Sequence, residues 1–310
     1  MERESAGVYR LFATVAGVLA AGGCSDPPPP VTHNPALDTD IYVARADWEG
    51  ASPRFFDLVN VTRRSGYDNQ PNFLADGSGF IYTVINEDGL SDIWMYRLGA
   101  AGPERLTMTL TTEFMPKVMP AGGGFSSIRY EEGFSRLWAF DLEGRPERVI
   151  LRDHLPFGYY TWLNDSQVAM VASYSLGEDE HGELQIVDVG TESVRTVAAD
   201  VGRCVAPLGD GALVYVDKSE EPWMVRGIDY YSGAEQFAFP GRPGMEDFAV
   251  AHDGSVLMAE GRQLFRRAPD MDDWELVADW SGELEGPISR IAASRDGTYL
   301  AVVAESGKAG

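Results

Sequence analysis

"FLADGSGFIYT", Phe73 to Thr83, reads as the end of one strand, a tight turn and the start of a second strand. Asp-Gly ahead of an apolar run is a strong hairpin signal, because glycine accepts the positive φ that such turns demand. Related stretches return down the chain as "LGDGALVYV", "AHDGSVLMA" and "SRDGTYLAVV". Aligned on the turn, the anchors are Asp76, Ala121, Asp165, Asp210, Asp253 and Asp296, spaced by 45, 44, 45, 43 and 43 residues. A period in the low forties, with four strands to each unit, predicts a β-propeller.

Each unit supplies those four strands. In the first, "QPNFLA" enters the turn, "GFIYTVI" leaves it, "DIWMYRL" follows a polar loop and "PERLTMT" closes. These runs are rich in Val, Ile, Leu and aromatic residues, and no helix-period stretch of useful length follows the N-terminal segment. Two units depart from the pattern: "AGGGF" replaces Asp-Gly at the second turn, and "NDSQV" shortens the third. The triple glycine lacks the Lys-Ser/Thr pair and helix of a phosphate loop, so it reads as a relaxed turn.

The ends decide closure. The sixth unit stops after "ISRIAAS" and "TYLAVVAE". Its missing strands are "DIYVARA" from Asp40 and "RFFDLVNVT" from Arg54, which match the third and fourth strands of the first unit. Joining them closes a ring and leaves no blade with an unfinished sheet. The expected fold is therefore all-β, a six-bladed β-propeller over residues 40–306, with N-terminal strands completing the last blade and a short tail at 307–310.

The repeats resemble the TolB-like β-propeller family, whose WD40-like units carry a turn of the "SPDG" kind. The matching stretches here are "LADG", "GDG", "AHDG" and "SRDG", with Pro71 and Pro116 near the start of innermost strands. The resemblance covers about Asp40 to Ser306 and implies architecture far more than function, since such propellers host binding proteins and enzymes alike. The extra N-terminal α/β domain of TolB itself is not expected in the short stretch between Cys24 and the first strand, a departure that tells against a TolB role in the Tol–Pal system.

Ahead of the repeats, Leu11 to about Ala21 forms an apolar run too short for a comfortable membrane span and suited to a signal peptide, residues 1–23. Small residues lead into Cys24 in the manner of a bacterial lipoprotein signal, although the usual leucine three places earlier is missing. Three readings follow: lipidation at Cys24, plain secretion after cleavage at Ala20 or Ala21, and an uncleaved anchor. Each exports the chain. "PPPP", Pro27 to Pro30, then belongs to a tether over residues 24–39, read either as a stiff polyproline spacer or as an unstructured linker. The expected location is the bacterial cell envelope, lipid-anchored and facing periplasm or cell surface, or otherwise secreted.

A net charge of -23 and the lack of any Lys/Arg cluster exclude nucleic acid as the partner class. The same acidity keeps a surface soluble, and recruitment of a basic partner is its sharper reading. Only Cys24 and Cys204 are present, so no disulfide framework is expected. The four histidines, His33, His154, His181 and His252, show no metal-ligand spacing, and no GxSxG elbow occurs. Acidic loops at Asn86–Asp92, Gly177–Glu183 and Asp270–Asp273 are the candidates for Ca2+, without EF-hand spacing.

Residues entering the innermost strands converge on the propeller axis. Counting six to eight places back from each anchor gives Asp68, Asn69, Gln70, Glu113, Tyr159, Arg203, Cys204, Glu246, Asp247, Ser289 and Arg290. Such a set suits a peptide or small polar ligand held by charge-assisted hydrogen bonds and aromatic stacking. The alternative is that these groups solvate a water-filled channel or pair with one another. Tyr159 to Trp162, "YYTW", divides in the same way between blade packing and a sugar platform. The favoured function is a protein- or peptide-binding or scaffold module at the envelope. The alternative is a channel-sited enzyme of the lactonase or sugar-processing kind, with Glu113, Glu246 and Asn69 around a divalent ion.

Overall fold

The computed structural model describes residues 38–306 apart from 51, 133, 153–156, 177–178 and 210. The expected signal peptide, Cys24 and nearly all of the expected tether lie outside the described residues, as does the tail at 307–310. Among the described residues the chain forms strands and turns and no helix. Six four-stranded antiparallel sheets follow one another around a ring, as the repeat predicts.

The innermost strands, from the first blade to the sixth, are Asp68–Phe73, Thr112–Val118, Phe157–Asn164, Val201–Leu208, Phe248–Val250 and Ile288–Ala293. Each touches the next, and the sixth touches the first, so the ring is complete. Closure is made as the incomplete end units require. Thr39–Asp47 inserts between Tyr299–Glu305 of the C-terminal hairpin and the outermost strand Arg54–Asn60. Its register sets Ile41 opposite Val303, Ala44 opposite Leu300 and Ala46 opposite Phe55.

The apolar core is divided among the six seams between blades, because a propeller sheet is covered on both faces. In Gly79–Ile85 of the first blade, Phe80, Tyr82 and Val84 pack with Ile41, Val43, Ala301 and Val303 of the sixth. Ile81, on the other face, packs with Phe125 and Phe140 of the second. Alternate residues thus serve two different seams, which is why the strand reads as a continuous apolar run rather than an alternating one. Full burial of Phe80 or Phe125 contributes about 1.5–3 kcal/mol each.

The recurring turn is a local device that also joins neighbours. Asp76 Oδ1 accepts the backbone N–H and hydroxyl of Ser78, and Asp253 does the same with Ser255. At Gly297, φ is +75° and an added Cβ would sit 2.3 Å from the His252 ring of the preceding blade. Only glycine satisfies both demands there. Trp48, from the closing segment, donates its indole N–H to the Gly297 carbonyl at 2.8 Å and meets His252 edge-on. The N-terminal strands therefore close the sheet and also fasten the last turn to the fifth blade.

Candidate functional site

All six blades contribute to one axial cavity of about 230 Å³. The residues six places before the turn anchors, Gln70, Met115, Tyr159, Cys204, Asp247 and Arg290, all line it. So do those four places before: Asn72, Lys117, Thr161, Ala206, Ala249 and Ala292. The sequence period has become two rings around the axis, as alternation along a strand requires.

A bulge aims the first ring. Strand register slips between Asn69 and Asn72, Phe114 and Lys117, Phe157 and Tyr159, Val201 and Val205, and Ile288 and Arg290. Such a slip bends the strand and redirects one side chain. Gln70 and Met115 pass through it at φ values of 61° and 55°, the left-handed region that costs a non-glycine residue about 1–2 kcal/mol. Hydrogen bonds offset part of that cost. Gln70 Oε1 accepts the Met115 N–H at 2.8 Å and the Thr83 hydroxyl at 2.7 Å, which ties the first blade to the second.

Gln70, Tyr159, Arg203, Asp247 and Arg290 face the cavity, while Asp68, Asn69, Glu113 and Glu246 stand outside it. Asp68 is fully buried beside Arg64, whose Nε lies 2.9 Å from Oδ1. Glu113 is fully buried as well; it accepts from Arg129 at 2.9 Å and from the hydroxyls of Thr109 and Thr111. Asn69 turns its side-chain oxygen onto the Gln70 N–H. Glu246 accepts the Arg203 backbone N–H at 3.1 Å and the Lys218 ammonium at 2.6 Å. Glu113, Glu246 and Asn69 thus have separate partners, and among the described residues no three His, Cys, Asp or Glu side chains converge to hold a metal ion.

Within the cavity Asp247 is the hub. Its Oδ2 lies 3.8 Å from Arg203 Nε and 3.5 Å from Arg290 Nε, and its Oδ1 accepts the Ile291 N–H at 3.1 Å. Arg203 also donates to the Ser289 carbonyl at 2.9 Å. The Arg290 guanidinium stands 5.6 Å from the Tyr159 ring centroid, a cation–π contact. Of the "YYTW" aromatics, Tyr160 and Trp162 pack in the seam between the second and third blades and share Ser126 Oγ as hydrogen-bond partner. Only Tyr159 is available as a ring wall.

Lys117 and Tyr67 join the candidate set although the sequence count passed over both. Lys117 sits four places before its anchor, inside the cavity, and among the described residues it forms no ion pair. Burial lowers its ammonium pKa, Arg290 lowers it further, and Asp247 works the other way. Burial pushes the Tyr67 phenol up to about 12, with Arg290 and Arg203 pulling it down and Tyr159 and Asp247 adding to the rise. Cys204 is likewise pushed up to about 12, chiefly by burial and then by Asp247, so its thiol stays protonated at neutral pH. Extending the count to four places would have found Lys117.

Comparison with solved structures agrees with the fold. A TolB-like protein of Agrobacterium tumefaciens superposes with a TM-score of 0.65 at 12% identity, covering 86% of this chain and 98% of that one. The WD40 β-propeller domain of Doa1 gives 0.54 at 11% identity, covering 90% of this chain and 96% of that one. TolB of Acinetobacter baumannii gives 0.53 at 16% identity, covering 88% of this chain and 65% of that one. No protein-family model and no curated protein matches the sequence. At these identities the likeness extends to architecture alone.

Proposed function

We propose that this chain is an exported, lipid-anchored propeller that acts as a protein- or peptide-binding module at the bacterial envelope. The observation that carries the reading is the axial cavity, to which every blade contributes and where arginines, a lysine, a carboxylate and an aromatic ring meet. Concave sites that gather a few polar groups from several elements are the usual form of a binding pocket. At about 230 Å³ it falls below the 300–1,000 Å³ of pockets for drug-sized ligands, and suits a side chain or chain end of a larger partner.

The end of the ring where the innermost strands begin offers further contact area. Met108 and Leu110 lie in the connection between the first and second blades, 77% and 95% exposed. Phe134, 47% exposed, opens the third strand of the second blade at the same end. Exposed apolar groups on an otherwise polar surface are the kind of contact that protein partners use.

Two experiments test the reading. A photo-crosslinking residue at Tyr159, in the full chain in living cells, should capture a specific envelope protein, and the same residue at outward-facing Val194 should not. Equal capture at both positions, or none at Tyr159, counts against a cavity-directed partner. Cys24→Ser should release the chain from membranes; unchanged membrane association removes lipidation from the account.

A further inference from the structure

We infer that the axial cavity is a receptor for carboxylate groups, with the Lys117 ammonium and the Arg290 guanidinium as principal donors. The inference rests on the cavity as the binding end and adds the chemistry that it selects.

Two independent features point the same way. Charge is the first. Three cationic side chains, Lys117, Arg203 and Arg290, line the cavity against one carboxylate, Asp247. That carboxylate is already engaged by both arginines and by the Ile291 N–H. The neighbouring Glu246 adds no free acceptor, since it takes the Lys218 ammonium and the Arg203 N–H. A positive cavity inside a chain of net charge -23 is a local reversal of the molecule's field. Salt screens the exposed carboxylates farther than about 8 Å away, and the nearer Glu246 is paired with Lys218.

Hydrogen-bond capacity is the second. Gln70 Oε1 receives the Met115 N–H and the Thr83 hydroxyl, and Asn72 Oδ1 receives the Val118 N–H at 2.8 Å. Backbone N–H groups pair only with the oxygen of an amide, so these bonds fix both orientations and leave the NH2 ends as the groups not engaged by them. Arginine and lysine are donors only. The polar wall therefore holds donors from four blades, and its one anionic acceptor is already in use. A carboxylate supplies what is missing: two oxygens, about four lone pairs and a negative charge. The volume accommodates one or two such groups on short chains.

The test uses the purified full chain and two sources of the same chemistry, succinate and an acetylated tri-glutamate amide, titrated by calorimetry at about 0.15 M salt. The neutral controls are succinamide and the tri-glutamine peptide. At least one carboxylate probe should bind and its neutral control should not; the tighter probe tells whether a free acid or a peptide is the natural source. Lys117→Met should weaken binding about tenfold or more, and Lys117→Arg should stay within about threefold of the parent. Because Lys117 forms no ion pair among the described residues, its replacement strands no partner, and the melting temperature should hold. Absence of binding by both acids at about 10 mM overturns the inference, as does an unchanged affinity in Lys117→Met. Equal binding of the neutral peptide overturns it too, while leaving a cavity-directed binding module intact. Failure of the Tyr159 crosslink removes the module without touching the succinate result.

Discussion

Asp68 and Asp247 occupy nearly equivalent places, eight and six residues before their turn anchors, and their fates are opposite. Asp68 is sealed in the seam between blades, where Arg64 meets one oxygen and the other has no hydrogen-bond partner. Asp247 faces the shared cavity, where two arginines and a backbone N–H surround it. Glu113 repeats the first case with Arg129. Two residues along one strand separate a group that holds the ring together from a group that can meet a ligand. Charge in an innermost strand is therefore no guide to function until its depth is known.

The contrast can be broken most forcefully at Glu113. Glu113→Ala leaves Arg129, itself 7% exposed, without its carboxylate. Removing one partner of a buried ion pair costs about 3–5 kcal/mol, which denaturant unfolding would register. A loss below about 1 kcal/mol would place Glu113 with the cavity groups instead.

Asp68 gives the next largest effect, and its sign is distinctive. Burial raises its carboxyl to about 7 from 3.8, against the pull of Arg64. Between those values the folded chain keeps a proton that the unfolded chain has lost. Stability attributable to Asp68 thus falls as pH climbs from about 4 to about 7 and is level above, a loss on the order of a few kcal/mol. Asp68→Asn should flatten that part of the profile of melting temperature against pH. The turn aspartates slope the other way: hydrogen bonds from Ser78 and Ser294 hold Asp76 and Asp296 below their ordinary value. Their contribution is present above about pH 4 and lost as pH falls through their folded values.

Asp247→Asn sharpens the comparison from the cavity side. The amide oxygen still accepts the Ile291 N–H, so stability should change by about 1 kcal/mol or less. The excess of positive charge grows by one, and carboxylate probes should bind on the order of tenfold more tightly in calorimetry. Weaker binding would show that Asp247 holds Arg203 and Arg290 in place for the ligand and does not compete with it. A comparably small effect on stability is expected at Asp296→Ala, which removes the acceptor for the Ser294 hydroxyl and for the N–H and hydroxyl of Thr298 in an exposed turn and should cost about 1 kcal/mol.

The architecture was legible because its signals repeat. Turns near every forty-fourth residue, four of the six Asp-Gly, and half-units at both ends leave closure as the arrangement that satisfies all edges. The site was legible only in part. Counting back from the turns found Gln70, Tyr159, Arg203, Asp247 and Arg290, and also drew in Asp68 and Glu113, which the seams enclose. The reason is the bulge. Backbone passing through positive φ at Gln70 and Met115 changes which side chains face the axis, and nothing in "NQPN" or "FMPK" announces it. Lys117 escaped because its ring lies one pleat deeper, where alanines in three other blades disguise the position.

The axial cavity depends on Thr39–Asp47 being an interior strand of the last sheet. Native-state hydrogen exchange tests that directly. Interior amides such as Ile41 and Val43 should exchange only with global unfolding, at protection equal to that of Ala301 and Val303, which they face in the ladder. If the N-terminal segment instead exchanges orders of magnitude faster than the C-terminal hairpin, the ring is not closed by this strand, and the cavity built on it does not exist.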